Sequence, residues 1–360
     1  MQIIRFLAAF LAVGLNALAA ESSLPPDRSA TGSLTIGTAK FDWQDAQRDR
    51  VVPVKIYFPK DGTGPFPLLI FSHGLGGTRE GYEYLGQHWA SQGYVSVHLQ
   101  HIGSDDAAWR GKGAEAMKAM NQAASNPQNA VNRPLDVRFA IDEMLRLNAE
   151  SGEFHGKIDT NRIGMAGHSF GAFTTLAVAG EVFGPTERSG VDARVKAAIA
   201  MSSPVPKRDR DRAFSKIKIP ILHMTGTEDS SPIGDTSVAE RRVPFDKING
   251  AEQFLVTFTG GDHMVFSGRS GLRGNRRKDA VFHDLILRST TAFWDAYLKG
   301  DAKAKAWLAD GGFEKALGKD GVFEKKAARS AAPWFIWRGG VLAAPTQLKP
   351  GGATVPPAVK

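Results

Sequence analysis

The stretch that most constrains this chain is Arg162 to Ala172, R-I-G-M-A-G-H-S-F-G-A. It reads as a short apolar strand running into G-H-S-F-G, followed by a helical run from Ala172 to Gly180. A tight turn between strand and helix forces its central serine outward, above the sheet edge. Gly167 and Gly171 flank Ser169 because strand and helix nearly touch there and glycine tolerates the strained backbone. The helix start also directs backbone N–H groups and a positive dipole end at negative charge forming beside Ser169. A glycine-rich turn can carry a serine without chemistry. The strand before it and the helix after it favour a nucleophile.

The rest of the chain supplies a setting for that turn. Glu21 to Thr38, with Pro25 and Pro26, reads as a weakly structured lead, and residues 21–50 as a whole precede the main domain. Val51 to Phe58 has partial alternation and reads as an edge-type strand, with Pro53 allowed by the edge. Leu68 to Phe71 is a continuous apolar run, hence a buried central strand, and it ends in S-H-G-L-G-G at Ser72 to Gly77. A helix over Gly81 to Gln92 and a strand over Tyr94 to Leu99 follow, which is the rhythm of a parallel sheet with right-handed crossovers. Gly103 to Asn132 breaks that rhythm and reads as a lid candidate or a surface loop. Pro134 to Asn148 is an amphipathic helix, with Val137, Ala140, Ile141, Met144 and Leu145 on one face. Strands follow at Val195 to Met201, Ile219 to Met224 and Gln253 to Phe258, then helices at Phe282 to Leu298 and Lys303 to Leu308. The main domain thus spans 51–310, and 311–360 is a C-terminal extension that runs into an apolar and proline-bearing tail.

Four sites fall where strands end: His73-Gly74, Ser169, Asp229 and His263. In a parallel sheet such ends share one edge, where open α/β folds bind ligands. The order serine, aspartate, histidine is that of α/β hydrolases. In that arrangement His263 takes the proton from Ser169 and returns it to the leaving alkoxide, while Asp229 holds the imidazole tautomer. The backbone N–H groups of Phe170 and Leu75 are the expected oxyanion-hole donors. Glu228, Asp235 and Asp262 are rivals to Asp229, which is preferred because it follows T-G-T at the strand end. His168 reads as a packing or hydrogen-bonding residue of the turn, and His73, with Gly74, as a support for the oxyanion loop. His98 and His101 have a spacing that puts them on opposite faces of a strand, so no metal site is expected.

Composition sorts the remaining function classes. Met1 to Ala20 has one early positive charge, an apolar run from Phe6 to Leu15 and small residues before position 21, the pattern of a signal peptide. The chain has no cysteine, which excludes a thiolate nucleophile, disulfides and a cysteine-acylated lipoprotein. A periplasmic or secreted location follows, with no transmembrane segment. The formal charge of +8 is concentrated in Arg269, Arg273, Arg276, Arg277 and Lys278, which are interleaved with glycine and lack aromatic platforms. That cluster reads as a solvated loop, and no nucleic-acid partner is expected. The sequence does not set an oligomeric state.

F-S-H-G-L-G-G at Phe71 to Gly77, the Gly93-Tyr94-Val95 strand start and G-H-S-F-G-A at Gly167 to Ala172 resemble the platelet-activating-factor acetylhydrolase group. They are also similar to bacterial exported esterases termed predicted dienelactone hydrolases and, more distantly, to cutinase-like polyester hydrolases. The resemblance, from about Val51 to Leu308, implies the α/β-hydrolase fold with an eight-stranded, mostly parallel sheet and helices on both faces. It also implies carboxylic-ester hydrolysis by a serine triad with no cofactor. True dienelactone hydrolases use a cysteine nucleophile, which this chain lacks. Short-chain, phospholipid-type and polyester or aryl esters are the candidate substrates, with specificity assigned to the Gly103 to Asn132 and Ser230 to Phe245 loops. A peptidase or amidase on the same triad and an inactive binding protein on this fold are the alternatives.

Overall fold

The computed structural model describes residues 32–184, 188–231, 233–268 and 276–329, with backbone alone at 276 and 277. In chain order the elements begin β1 (Ile36–Asp45), β2 (Arg50–Pro59), β3 (Phe66–Ser72), α1 (Glu83–Ser91), β4 (Val95–Leu99), α2 (Ala116–Ser125) and α3 (Pro127–Ala149). Next come β5 (Ile158–His168), α4 (Phe170–Ala179), the short β6 (Val182–Phe183) and β7 (Arg188–Ser189), and β8 (Val195–Met201). The remainder is α5 (Arg210–Phe214), β9 (Ile221–Glu228), α6 (Val243–Lys247), β10 (Gln253–Asp262), α7 (Arg276–Trp294), α8 (Ala302–Ala309), α9 (Gly312–Leu317) and β11 (Gly321–Lys326).

The main sheet has the order β1-β2-β4-β3-β5-β8-β9-β10-β11, nine strands where the resemblance implies eight. Its six central strands, β4 to β10 in that order, run parallel; β1, β2 and β11 are antiparallel additions. Two of these differ from the sequence reading. Residues 36–45 lie partly in the stretch read as a lead, yet they form β1 and pair along all of β2, so β2 is an inner strand rather than an edge. Gly321–Lys326 falls in the stretch read as the C-terminal extension, yet it closes the other edge by pairing with β10. The reason at each end is burial: Trp43 packs with Phe41 and the β2 face, while Phe323 stacks 5.9 Å from Phe254 and meets Phe313 edge-on at 4.9 Å. β11 is a six-residue strand with Phe323 as its one buried side chain, whereas the ten-residue β1 does alternate, Ala39, Phe41 and Trp43 against Lys40, Asp42 and Gln44, a period-2 signal that the reading of a lead overlooks.

Alternate residues of each central strand enter different layers, as pleating requires. Leu69 and Phe71 face a layer with Leu85 and Trp89 of α1 and Phe282, Ile286 and Phe293 of α7. Leu68 and Ile70 face Val137, Ala140, Ile141 and Met144 of α3. Ala198 and Ala200 of β8 meet Leu176 of α4 and Phe214 of α5. These are the helices on both faces that the resemblance implies. The helix read as Pro134 to Asn148 starts a full two turns earlier: Asn126 caps it by accepting from the Gln128 N–H, and Pro127 occupies the first turn, where no amide partner is lost. All described elements belong to one unit ending at Ala328, and of residues 329–360 only Arg329 is described. The signal-peptide reading (1–20), most of the basic loop (269–275) and the tail beyond 329 lie outside the described residues.

Candidate active site

Ser169 sits between β5 and α4 with φ 56° and ψ −117°, a strained backbone for a non-glycine residue. The neighbouring glycines leave no alternative. A Cβ on Gly171 would stand 1.8 Å from the Ser72 carbonyl oxygen, and one on Gly167 would stand 2.3 Å from the Gly171 oxygen. Close approach of helix and two strands is thus what fixes the turn, and the Ser169 N–H is tied down by the Met201 carbonyl at 2.9 Å.

Topology brings the strand ends together. His263, just past β10, has Nε2 at 3.0 Å from Ser169 Oγ and Nδ1 at 2.8 Å from Asp229 Oδ1. The rival acids are elsewhere: Asp235 is exposed and paired with Lys207, Asp262 accepts from the Met264 and Val265 N–H groups, and Glu228 is exposed. Asp229 is fully buried. Its Oδ2 accepts from Ser202 Oγ and from Thr225 Oγ1 (2.8 Å), and Arg241 Nε lies 3.4 Å from Oδ1. Burial alone would raise this carboxyl, but the His263 hydrogen bond and charge, the Arg241 cation and the Ser202 hydroxyl outweigh it and hold it at about 2.

The loop after β3 is built by histidines that sequence spacing treats as unrelated. The His101 N–H donates to His73 Nε2 at 3.0 Å, which leaves His73 Nδ1–H to donate to the Gly74 carbonyl at 2.6 Å. Burial, then the charges of Arg133 and His101, push His73 well below the ordinary histidine range, so it stays neutral in this scaffold role. The Gly74 N–H donates to the Tyr82 hydroxyl (3.3 Å), and Tyr82 in turn donates to His168 Nδ1 (2.8 Å). The His168 ring lies 4.7 Å from the His263 ring, and burial, with the neighbouring His263 charge, lowers its pKa far below normal. His168 therefore packs and hydrogen-bonds beside His263.

Leu75 and Phe170 border the same cleft, a hollow of about 390 Å³ that also takes in Ser169, His263, Gly74 and Gly76. Its walls are largely apolar: Met120 and Ala124 of α2, Phe173, Pro204, Ile233 and Met264. The Gly103 to Asn132 excursion and the Ser230 to Phe245 loop thus both reach the cleft. Trp109 Nε1 pins the excursion to the Gly76 carbonyl at 2.9 Å. Among the described residues no group of three or more metal-ligating side chains occurs.

Sequence reasoning missed Arg133, Arg241, Ser202, Thr225 and Tyr82. Arg133 left a signal: it stands in helical register with Val137, Ala140, Ile141 and Met144, a cation on an apolar stripe. The others reach the site from loops, a strand and the short helical turn Val238–Arg242, whose convergence is tertiary.

Comparison with known proteins gives a consistent picture. The family described as platelet-activating factor acetylhydrolase, isoform II, matches residues 47–127, which hold the loop after β3 but not Ser169, Asp229 or His263. A platelet-activating factor acetylhydrolase of Cavia porcellus is 25% identical over 287 residues, covering 71% of this chain and 63% of its own length. This chain is similar to platelet-activating factor acetylhydrolases. Relatives of the same name from Canis lupus familiaris (26% over 229 residues) and Bos taurus (24% over 231 residues) each cover 56% of the chain and 48% of their own length. The chain therefore spans about half to three-fifths of the curated relatives it matches.

Proposed function

We propose that this protein is an exported serine carboxylic-ester hydrolase acting on esters with a short acyl group, phospholipid-type esters among them. The observation that carries the reading is the continuous Ser169–His263–Asp229 contact at the mouth of an apolar cleft. Ser169 Oγ attacks the ester carbonyl carbon as its proton passes to His263 Nε2. The tetrahedral oxyanion faces the N–H groups of Leu75 and Phe170, each such donor contributing about 3–4 kcal/mol of transition-state stabilisation. His263 then protonates the departing alkoxide, leaving an acyl group on Ser169. A water molecule, deprotonated by His263, releases the acid and restores the serine. Asp229, held ionised, stabilises the imidazolium at each stage.

The names of the relatives support a phospholipid bearing a short ester, and the apolar walls from α2, Phe173 and Ile233 suit an acyl or alkyl chain beside the reacting carbonyl. Export rests on the N-terminal signal-peptide pattern, with the mature chain read as a main domain, a lid over 103–132 and a C-terminal extension. No helix among the described residues is long and apolar enough to cross a membrane.

The test is hydrolysis of p-nitrophenyl acetate, butyrate and octanoate, and of a 2-acetyl glycerophospholipid, by the wild type and Ser169→Ala. The expected result is turnover of the short esters by the wild type and a loss of about 10³-fold or more in the variant. An equally active variant would overturn the mechanism.

A further inference from the structure

We propose that Arg133 is a positioning residue that locks the two halves of the oxyanion hole to each other. This deepens the serine-hydrolase reading of the same cleft and rests on it. Arg133 lies on α3, remote in sequence from every triad residue, and is wholly buried at 0% exposure. Each guanidinium nitrogen is directed at a different segment. Nε donates to Thr174 Oγ1 at 2.9 Å, Nη1 to Ser104 Oγ at 2.8 Å, and Nη2 to Ser72 Oγ at 3.0 Å and to the His73 carbonyl.

Those contacts bracket both expected donors. The His73 carbonyl stands two residues before Leu75, and the Ser104 carbonyl accepts the Gly76 N–H at 2.9 Å, one residue after it. Arg133 thereby grips both flanks of the Leu75 amide. On the other half, the Thr174 hydroxyl donates to the Phe170 carbonyl at 3.0 Å, and the guanidinium lies 4.5 Å from the centre of the Phe170 ring. One side chain thus touches the segments that carry both N–H groups.

Stability alone is a poor reason for such a residue. Removing a cation from water is expensive, and among the described residues no carboxylate pairs with Arg133 directly. Its hydrogen-bond network among these residues reaches a counter-charge only at Asp136, through Ser72 and His101: Ser72 Oγ donates to His101 Nε2 (2.9 Å) and His101 Nδ1 donates to Asp136 (3.0 Å). An apolar side chain would fill the same volume at lower cost. What a guanidinium adds is a planar fork that fixes several acceptors in one geometry. Fixed geometry is what an oxyanion hole requires, since its donors must already stand where the charge will form.

The test compares the wild type with Arg133→Lys and Arg133→Met, using preparations shown to be folded by circular dichroism and counted by titration of Ser169 with a fluorophosphonate. Three quantities are read: kcat and KM for p-nitrophenyl butyrate, and the inhibition constant of a trifluoromethyl ketone that mimics the tetrahedral adduct. The expected result is a kcat lower by about 10–100-fold for Arg133→Met with KM nearly constant, and a ketone constant that rises in parallel. Arg133→Lys should recover part of both. If Arg133→Met does not fold, Thr174→Val and Ser104→Ala each remove one acceptor and keep the cation; a smaller drop in kcat at constant KM is then expected. Folded variants that melt earlier but match the wild type in kcat per titrated site, and in ketone affinity, would overturn the proposal and leave the serine mechanism standing. A wild type that hydrolyses no ester would instead sink the mechanism, and the positioning role with it.

Discussion

Four groups converge on the Asp229 carboxylate: His263 Nδ1, the Ser202 and Thr225 hydroxyls, and the Arg241 guanidinium. Arg241 also donates to the Ser202 and Ser203 carbonyls, so the loop after β8 and the acid are held as one piece. In the proposed mechanism, replacing this carboxylate leaves His263 free to take the wrong tautomer, which is costly in serine triads. Asp229→Asn should therefore lose about 10³-fold or more in kcat, whereas Asp235→Asn, at an exposed ion pair with Lys207, should retain near wild-type activity. Steady-state kinetics of the two variants side by side checks the assignment. Glu181 offers a second prediction at this scale. It is 2% exposed, and burial raises its carboxyl from 4.5 to about 8. Below about 4.5 folded and unfolded chains both keep the proton. As the pH rises toward 8 the unfolded chain releases it while the folded chain holds it, so the stability this group allows is progressively lost. Glu181→Gln should raise the melting temperature relative to wild type, and the gain should be larger at pH 8 than at pH 5, by more than about 1 kcal/mol in stability. A gain independent of pH would contradict the shift.

At the scale of elements, the strand–turn–helix unit of β5 and α4 works because it is packed against β3 with no room to spare. Its glycines are steric necessities rather than flexible points. Gly171→Ala would drive a methyl group into the Ser72 carbonyl, 1.8 Å away, and backbone cannot swing aside as a side-chain tip can. The expected cost is on the order of 3 kcal/mol or more, read from the denaturant midpoint, with activity lost alongside because Ser72 leads directly into the oxyanion loop. The lid candidate has the opposite character. No residue of α2 is buried, and the excursion is anchored at one end by Trp109 and at the other by Asn129, which donates to the Gly103 and Ala123 carbonyls. Segments with few buried contacts open at low free energy. Limited proteolysis should therefore cut first within 112–126, leaving a nicked protein whose remaining sheet still melts cooperatively.

Across the whole molecule, two antiparallel margins flank the parallel core and cover edges that would otherwise present unpaired backbone groups. On the β10 side that cover is β11, seated by Phe323 between Phe254 and Phe313. Measured against a chain ending at Ala328, a chain ending at Asp320 should melt several degrees lower and aggregate on heating, because the edge of β10 and the Phe254 ring are then exposed. Light scattering during a thermal ramp reads both effects.

Local residue order was enough to determine the fold class, the turn at Ser169 and the set of strand ends from which the site is made. Each of those is written in short-range patterns: apolar runs, helical spacing and glycines beside a serine. The edge strand β11, with Phe323 its one buried side chain, is specified by the partner it pairs with, whereas β1 carries a period-2 pattern from Ala39 to Gln44 that the reading of a lead overlooks. Likewise, spacing could rank Asp229 above Asp235 but not decide between them. The contact that favours Asp229 is with His263, which is 34 residues away in sequence and 2.8 Å away in space. Arg241, beside Asp229, belongs wholly to tertiary structure, while Arg133 shows in the sequence as a cation on an apolar stripe whose partners only the fold supplies. A charged residue on an apolar helix face becomes meaningful only once packing shows which acceptors close around it.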